Sequence, residues 1–125
     1  MEALSHCQRK IFGMKNKIIP LSSFVTAFKR FNKKFPSLKN DFLVLENELL
    51  QNPQLGENLG ANLYKIRLAN RDKVKGKSAG YRIITYLVEE VDTEFTIYLI
   101  KIYDKSEDST ISKNVILKLI KSIFG

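Results

Sequence analysis

The side chains of this sequence that could take part in chemistry are mainly cations. Tyr64, Ile66 and Leu68 alternate with Lys65 and Arg67, and this alternation predicts a β-strand that carries both cations on one face. The planar guanidinium of an arginine suits the oxygens of a phosphate, and a lysine adds a point charge. The pattern therefore indicates contact with an anionic ligand, although two cations on a strand are also common on plain solvated surface.

Residues that carry other kinds of chemistry are scarce. The chain has one histidine, His6, and one cysteine, Cys7, so it offers neither a disulfide framework nor a Cys/His set for zinc. Both lie in residues 1–13, which show no clear periodicity and precede a start-like Met14. We predict a loose N-terminal extension at 1–13, a single domain at 14–125, no metal and no small-molecule cofactor.

The charge balance indicates an acidic partner. The 125 residues include 21 Lys+Arg and 13 Asp+Glu, which gives a formal net charge of +8 and a pI near 9.6. A cationic surface gains affinity for any polyanion by releasing counterions, so charge alone does not choose among nucleic acid, ribosome, anionic membrane and acidic protein.

Composition also limits the class and location of the protein. Hydrophobic residues make up 44% and charged residues 27%, which is ordinary for a globular protein and too apolar for a disordered one. The sequence has no apolar run of about 18 residues and no secretory h-region, so we predict a cytoplasmic protein without a membrane segment.

Two amphipathic helices are predicted ahead of the cationic strand. A short strand at Lys17–Leu21 leads to Ser22 or Ser23, which can cap a helix that ends before Pro36. Ser37 can cap a second helix, which stops at Asn52-Pro53. Both helices have an apolar stripe typical of core packing, and the first has a basic opposite face; the stripes comprise Phe24, Ala27, Phe28, Phe31 and Phe35, then Leu38, Phe42, Leu45 and Leu49.

The rest of the chain predicts a meander of strands and a last helix. Strands are expected at Leu63–Ala69, Tyr81–Val88 and Phe95–Tyr103, the first two joined by a wide basic hairpin at 70–80. The last helix could be capped by Ser109, Thr110 or Ser112 and has an apolar stripe of Ile116, Leu119, Ile120 and Ile123. We predict an α+β fold of order β-α-α-β-β-β-α, with an αα-hairpin packed on a mostly antiparallel sheet and a C-terminal helix.

Three segments of the sequence are similar to those of a known family: YKIRL at 64–68, GKSAGYRII at 76–84 and IYDKSE at 102–107. Together they resemble the RelE/HigB superfamily of type II toxin–antitoxin toxins. The resemblance runs from about Lys17 to the C-terminus and includes the order of the elements, and the third segment is more similar to the HigB-like branch. It departs at Ile111, where RelE-type members have a tyrosine implicated in catalysis.

The resemblance implies a RelE-like toxin fold and a metal-independent mRNA interferase. Its members cut messages, usually in the ribosome, and are silenced by a small antitoxin encoded beside them. The basic positions of the family correspond here to Lys65, Arg67, Arg82 and Lys105, which are the implied catalytic residues. For Arg82, a structural ion pair with a carboxylate is the alternative role.

The chemistry implied for these residues is cleavage of RNA by its own 2′-hydroxyl. Such a reaction needs one proton removed, one supplied and an anionic phosphorane stabilised. With the only histidine at position 6, a lysine would have to move protons, and Lys65 beside Arg67 has a neighbouring cation that disfavours its charged form. Arg67 and Arg82 suit charge stabilisation, and Lys105 suits the leaving group.

Further residues are expected to bind the RNA without taking part in the reaction. The loop cations have charge without fixed geometry, which suits phosphate contact. Tyr103 could stack on a base, although strand tyrosines are more often at the edge of a core. The predicted RNA-binding residues are Arg71, Lys73, Lys75, Lys77 and Tyr103.

Two other functions remain open from the sequence. One is a noncatalytic toxin of the ParE type, which inhibits gyrase on a similar architecture; that branch is not defined by the full set of four cations. The other is a basic nucleic-acid-binding module without toxicity. A short antitoxin-like reading frame beside this one would separate the module from both toxins.

Overall fold

A computed structural model describes residues 16–70, 80–90, 94–110 and 112–125 of the chain. The predicted extension at 1–13 and the predicted RNA-binding residues Arg71, Lys73, Lys75 and Lys77 lie outside the described residues. The elements are β1 (Lys17–Pro20), α1 (Ser22–Lys34), α2 (Ser37–Gln51), β2 (Glu57–Gly60), β3 (Leu63–Leu68), β4 (Tyr81–Glu89), β5 (Phe95–Asp104), a 3-10 helix (Lys105–Thr110) and α3 (Lys113–Phe124).

The described strands form one sheet in the order β1-β5-β4-β3-β2. β1 runs parallel to β5, and the other neighbours are antiparallel. The α1–α2 hairpin packs on one face of the sheet, which we call the hairpin face, and α3 packs on the other, the α3 face. The predicted α+β architecture is confirmed, including its mixed, mostly antiparallel sheet.

The hairpin face holds the larger core. Phe24, Phe28 and Phe42 are fully buried, and their ring centroids lie 5.0–5.9 Å apart. Each such ring pair stabilises the fold by about 0.5–1.5 kcal/mol beyond the contribution from burial of the rings. The predicted stripes of both helices are confirmed as core, and α2 ends at Gln51 before Asn52-Pro53 as expected.

The α3 face holds a smaller core, in which only part of the predicted stripe of α3 takes part. Ile116 and Ile120 are buried against the sheet, whereas Ile123 is 46% exposed. The end of the helix is held instead by Phe124, whose ring lies 5.2 Å from Tyr86 and 4.7 Å from Tyr98. The stripe prediction was therefore wrong at Ile123.

Helix capping follows the prediction at one of three sites. The Ser112 hydroxyl accepts a bond of 3.2 Å from the Val115 amide and caps α3. Ser23 does not cap α1: helix α1 begins at Ser22 after Leu21, and the Ser23 hydroxyl donates to the carbonyl of Ile100 at 2.7 Å. That bond joins α1 to β5. The cap prediction was also wrong at Ser37: the N-cap residue of α2 is Pro36, and Ser37 is the first residue of the helix.

Strand β2 is not among the strands predicted from the sequence. Its four residues pair with the start of β3 through an irregular register, and Ala61 and Asn62 in the turn have left-handed backbones, with φ of 55° and 64°. The approach of the chain to β3 is close at Gly56, where a Cβ atom would lie 2.6 Å from the carbonyl oxygen of Lys65. Glycine at 56 therefore permits this edge strand to form.

Candidate functional site

Two of the predicted catalytic cations are direct neighbours across the sheet. Arg67 on β3 pairs with Arg82 on β4, and Arg82 pairs with Tyr103 on β5. Opposed residues of neighbouring strands project from the same face, so these side chains form one cross-strand row. Tyr103 belongs to the core beneath α3, which identifies the row as part of the α3 face.

Three of the four predicted catalytic residues line one cleft of about 360 Å³. The cleft lies where β3 ends and β4 begins, and its lining is Arg67, Leu68, Ala69, Gly80, Arg82 and Lys105. The backbone closes one side of it, because the Lys105 amide donates to the Gly80 carbonyl at 2.9 Å. Cations from three separate segments therefore converge on one space.

The segment Gly80–Tyr81–Arg82 shows why the arginine has this position. Tyr81 is 1% exposed and packs edge-on against Phe31 at 5.3 Å on the hairpin face. The next side chain in the strand, Arg82, must then project into the α3 face. It is 6% exposed, and its Nη1 donates to the Tyr81 carbonyl at 3.3 Å. The guanidinium is thus held close to its own strand.

Gly80 leaves room for that guanidinium. Its φ is +142°, and a Cβ atom here would lie 3.3 Å from the Leu68 carbonyl oxygen and 3.7 Å from Arg82 Nη1. A side chain would be strained by the backbone and would fill the space where the cleft lies.

Lys105 is positioned by a turn at the end of β5. The Asp104 carboxylate accepts from the Ser106 amide at 2.9 Å, and the Glu107 carboxylate accepts from the Asp104 amide at 3.1 Å. These bonds start the 3-10 helix, as capping carboxylates do at helix N-termini. The two carboxylates closest to Lys105 in sequence therefore also serve the backbone that presents it.

Lys65 lies one row away from the cleft. It pairs with Ile84, which in turn pairs with Lys101 on β5, so Lys65 and Lys101 flank Ile84 on the α3 face. Lys65 is half-buried and does not line the cleft itself. Lys101 was not among the predicted site residues, because simple alternation along Phe95–Tyr103 does not place it beside Lys65.

The aromatic residue predicted to stack on bases is covered in this structure. Tyr103 is 3% exposed and lies in the α3-face core. A ring so enclosed has almost no face available to a base, and its position beside Arg82 is that of a packing residue. Ile111, where the sequence departs from RelE-type members, lies outside the described residues.

A second, larger groove adjoins the cleft on the hairpin side. It has a volume of about 490 Å³ between α2 and β3, and shares Arg67, Leu68 and Ala69 with the cleft. Its α2 side includes the exposed Val44 and the carboxylates Asp41 and Glu48. Carboxylates repel anions, so of the two spaces the cleft is the one whose charge suits an anionic ligand.

Two other features, a metal-binding cluster and a membrane-spanning helix, are absent from the described residues. Across residues 16–70, 80–90, 94–110 and 112–125, no group of three or more His, Cys, Asp or Glu side chains could hold a metal ion. In the same part of the chain, no helix has the length and apolar composition of a membrane span.

The cleft can bind and stabilise a phosphate that gains negative charge. Arginine forks offer paired donors to two oxygens, and in a partly enclosed site such donors stabilise a transition state more than they would in water. A lysine on the same space can donate a proton. The arrangement suits phosphoryl chemistry on a polyanion.

Fold comparison agrees with this architecture. No family model matches the sequence, but the fold is RelE-like: an αα-hairpin on one face of the sheet and a C-terminal helix on the other. A solved structure of similar fold is the E. coli toxin RelE in the free state, in a variant with two arginines changed to alanine. Its TM-score is 0.54 at 18% identity, and the match covers 78% of this chain and 90% of that chain.

Proposed function

We propose that this protein is the toxin of a type II toxin–antitoxin pair and acts as a metal-independent endoribonuclease on mRNA. The observation that carries the proposal is the cleft in which Arg67, Arg82 and Lys105 converge. A RelE-like fold alone would also accommodate a noncatalytic toxin. The presence of all four basic residues, together with the convergence of Arg67, Arg82 and Lys105 on one cleft, favours cleavage.

The proposed reaction needs only groups that the RNA and the protein supply. The 2′-oxygen attacks the adjacent phosphorus while its proton passes to a base. The bond from phosphorus to the 5′-oxygen breaks, and that oxygen takes a proton from an acid. The products are a 2′,3′-cyclic phosphate and a free 5′-hydroxyl, with no change of oxidation state.

The residues divide this work according to their positions. Arg67 and Arg82, opposed across two strands, bind the non-bridging oxygens and stabilise the phosphorane. Lys105, held by the turn at Asp104, protonates the leaving 5′-oxygen. Lys65 lies one row further along β3 and takes the proton from the 2′-hydroxyl, a role that requires the RNA to extend past the cleft toward Ile84.

Partners follow from the same proposal. The substrate is mRNA in the ribosome, the location is the cytoplasm and the branch is HigB-like, as the segment at 102–107 suggests. A cognate antitoxin would silence the toxin by covering cationic or apolar surface near the sheet and α3. Val115, Ile123 and Phe124 of α3 are 51%, 46% and 39% exposed and offer apolar area to such a partner.

The test is induction of the protein alone and together with its neighbouring gene, followed by mapping of RNA 5′ ends. We expect growth arrest with new 5′-hydroxyl ends inside messages, and relief of both by the neighbouring gene. Arrest without new ends would support the noncatalytic toxin. Absence of arrest with a stable, folded protein would support the nucleic-acid-binding module.

A further inference from the structure

A β-bulge in β5 turns an additional cation toward the site. Ile84 pairs with Lys101 and Thr85 pairs with Leu99, which leaves Ile100 as an extra residue between them. Before the bulge, Ile97 and Leu99 belong to the hairpin-face core; after it, Ile102 does. The extra residue therefore reverses the alternation, and Lys101 shares the α3 face with Lys65. Bulges of this kind commonly re-aim side chains beside functional sites.

The reversal gives Lys101 a defined place relative to the cleft. Lys65, Ile84 and Lys101 form one row, and the row of Arg67, Arg82 and Tyr103 is the next along the strands. Strand geometry sets the rows about 7 Å apart and the Cα atoms of the two lysines about 10 Å apart. Lys101 is half-buried, as expected for a side chain whose stem lies on apolar surface with its ammonium at the edge.

The elements around Lys101 contribute almost only positive charge. Helix α3 has three lysines and no carboxylate, and β3 has none either. On β4 and β5 the carboxylates are Glu89 and Asp104, each the last residue of its strand. On the edge strand β2, the carboxylate of Glu57 is paired with Lys65, on the side of β3 away from Lys101. Asp104 also accepts a backbone bond in its own turn. A lysine with mostly cationic neighbours lies in a positive potential, which favours the binding of an anion.

We propose that Lys101, together with Lys65 across Ile84, forms a second phosphate subsite for the nucleotide next to the scissile one. The inference rests on the proposed function and deepens it, because it assigns a path to the RNA: from the arginine row, along the α3 face, to the lysine row. Lys101 is a positioning residue that acts in binding and not in proton transfer.

The experiment measures binding and cleavage separately. The binding probe is a single-stranded 2′-O-methyl RNA oligonucleotide, which has no 2′-hydroxyl to attack its phosphates. Its Kd is measured at several salt concentrations for the wild type, Lys101→Met, Lys101→Arg and the control Lys39→Met. Methionine keeps the apolar stem of the lysine, and Lys39 is an exposed lysine of α2 on the opposite side of the sheet. Thermal melting confirms that each variant is folded.

We expect Lys101→Met to weaken binding several-fold and to lower the slope of log K against log salt by about 0.7, the value for one phosphate contact to a single strand. Lys101→Arg should restore both, and Lys39→Met should change neither. On cleavable RNA, Lys101→Met should raise KM with kcat within about two-fold of the wild type.

Several results would overturn the subsite. They are an unchanged Kd and slope in Lys101→Met, an equal loss in Lys39→Met, a loss of kcat at unchanged KM, or a wild type that does not bind the oligonucleotide. A Lys101-dependent Kd in a protein that cuts no message would leave the subsite standing and reject the endoribonuclease.

Discussion

Three consecutive residues connect the core of the protein to its candidate chemistry. Tyr81 anchors β4 in the hairpin-face core, Gly80 leaves space at the cleft, and Arg82 emerges on the opposite face within that space. Because side chains alternate along a strand, burial of Tyr81 on the hairpin face places Arg82 on the α3 face. Substitutions at the three positions should therefore have distinguishable effects.

Replacement of Arg82 tests function apart from folding. If Arg82 stabilises the phosphorane, Arg82→Ala should lose on the order of 10²–10³-fold in single-turnover cleavage, the usual cost of one preorganised donor. Arg82→Lys should stay impaired, because it keeps the charge but loses the two-pronged donor. Arg30→Ala, which removes an exposed arginine of α1, is the matched control and should cleave normally.

The alternative role for Arg82 gives a different result. If Arg82 is a structural ion-pair partner, its truncation would leave a buried charge and cost roughly 3–5 kcal/mol of stability. Thermal melting of the same preparations separates the two roles. A folded Arg82→Ala protein with wild-type cleavage would reject the proposed site.

Gly80→Ala should impair both folding and cleavage. Its positive φ strains any other residue by about 1–3 kcal/mol, and the new methyl group would press on the space of Arg82. Gly60→Ala is the control, because Gly60 also has a positive φ of 85° but does not line the cleft. Denaturant unfolding should show a lower free energy of unfolding in both variants. Cleavage per folded molecule should fall only in Gly80→Ala. Equal cleavage in the two would mean that the space at Gly80 is irrelevant.

At the scale of elements, α3 has the fewest buried residues of the three described α-helices. It buries two residues, Ile116 and Ile120, whereas α1 buries three phenylalanines and α2 buries six residues. Elements with little buried apolar area open at free energies below that of global unfolding. The cationic rows share their face of the sheet with this helix, so its opening would widen access to Lys65 and Lys101.

Hydrogen exchange tests this difference between helices. Amides in α3 should exchange faster than those in α1 and α2, and Ser112→Ala should accelerate α3 selectively, because loss of a capping hydroxyl costs about 0.5–2 kcal/mol. Ser22→Ala in α1, where the serine makes no cap bond, is the control. Uniform exchange across the three helices would show that α3 opens only with the whole molecule.

The elements that could be predicted from the sequence are those in which apolar residues recur at a regular helical or strand spacing. The phenylalanine stripe of α1 and the alternation at Leu63–Leu68 each leave one arrangement that buries the apolar side chains. Strand β2 could not be predicted in this way, since its four residues have no alternation and it forms only by pairing with β3. Its turn places Ala61 in a left-handed conformation, which a turn motif would normally signal by glycine or asparagine.

The candidate site was only partly accessible from the sequence. Arg67, Arg82 and Lys105 were chosen by resemblance, and the structure brings them to one cleft. Lys101 could not be predicted from alternation, because the extra residue Ile100 moves the side chains that follow it to the opposite face of the sheet. The residues before Lys101, at 97–100, are all apolar, so the sequence gives no sign of a bulge. The position of Tyr103 on the α3 face, beside Arg82, depends on the same reversal.

At the scale of the whole molecule, the placement of charge should matter more than its total. The net charge is +8, but α1 and the candidate site lie on opposite faces of the sheet. A helix layer and a sheet separate them by more than about 10 Å, beyond the Debye length of about 8 Å at physiological salt. Exposed cations of α1 therefore contribute little to the potential in the cleft.

Two double variants test placement against total charge. Lys29→Glu with Lys33→Glu changes exposed residues of α1 and lowers the net charge by about four, whereas Lys65→Met with Arg67→Met lowers it by about two. If the position of the charge matters more than its total, the second pair should lose more RNA affinity than the first. The slope of log K against log salt should then fall by about 1.4, which corresponds to two phosphate contacts to a single strand. The α1 pair should leave kcat and the slope unchanged and slow association only modestly. The reverse ranking, measured on folded proteins at 0.15 M salt, would make the protein a nonspecific polycation whose cleft has no special role.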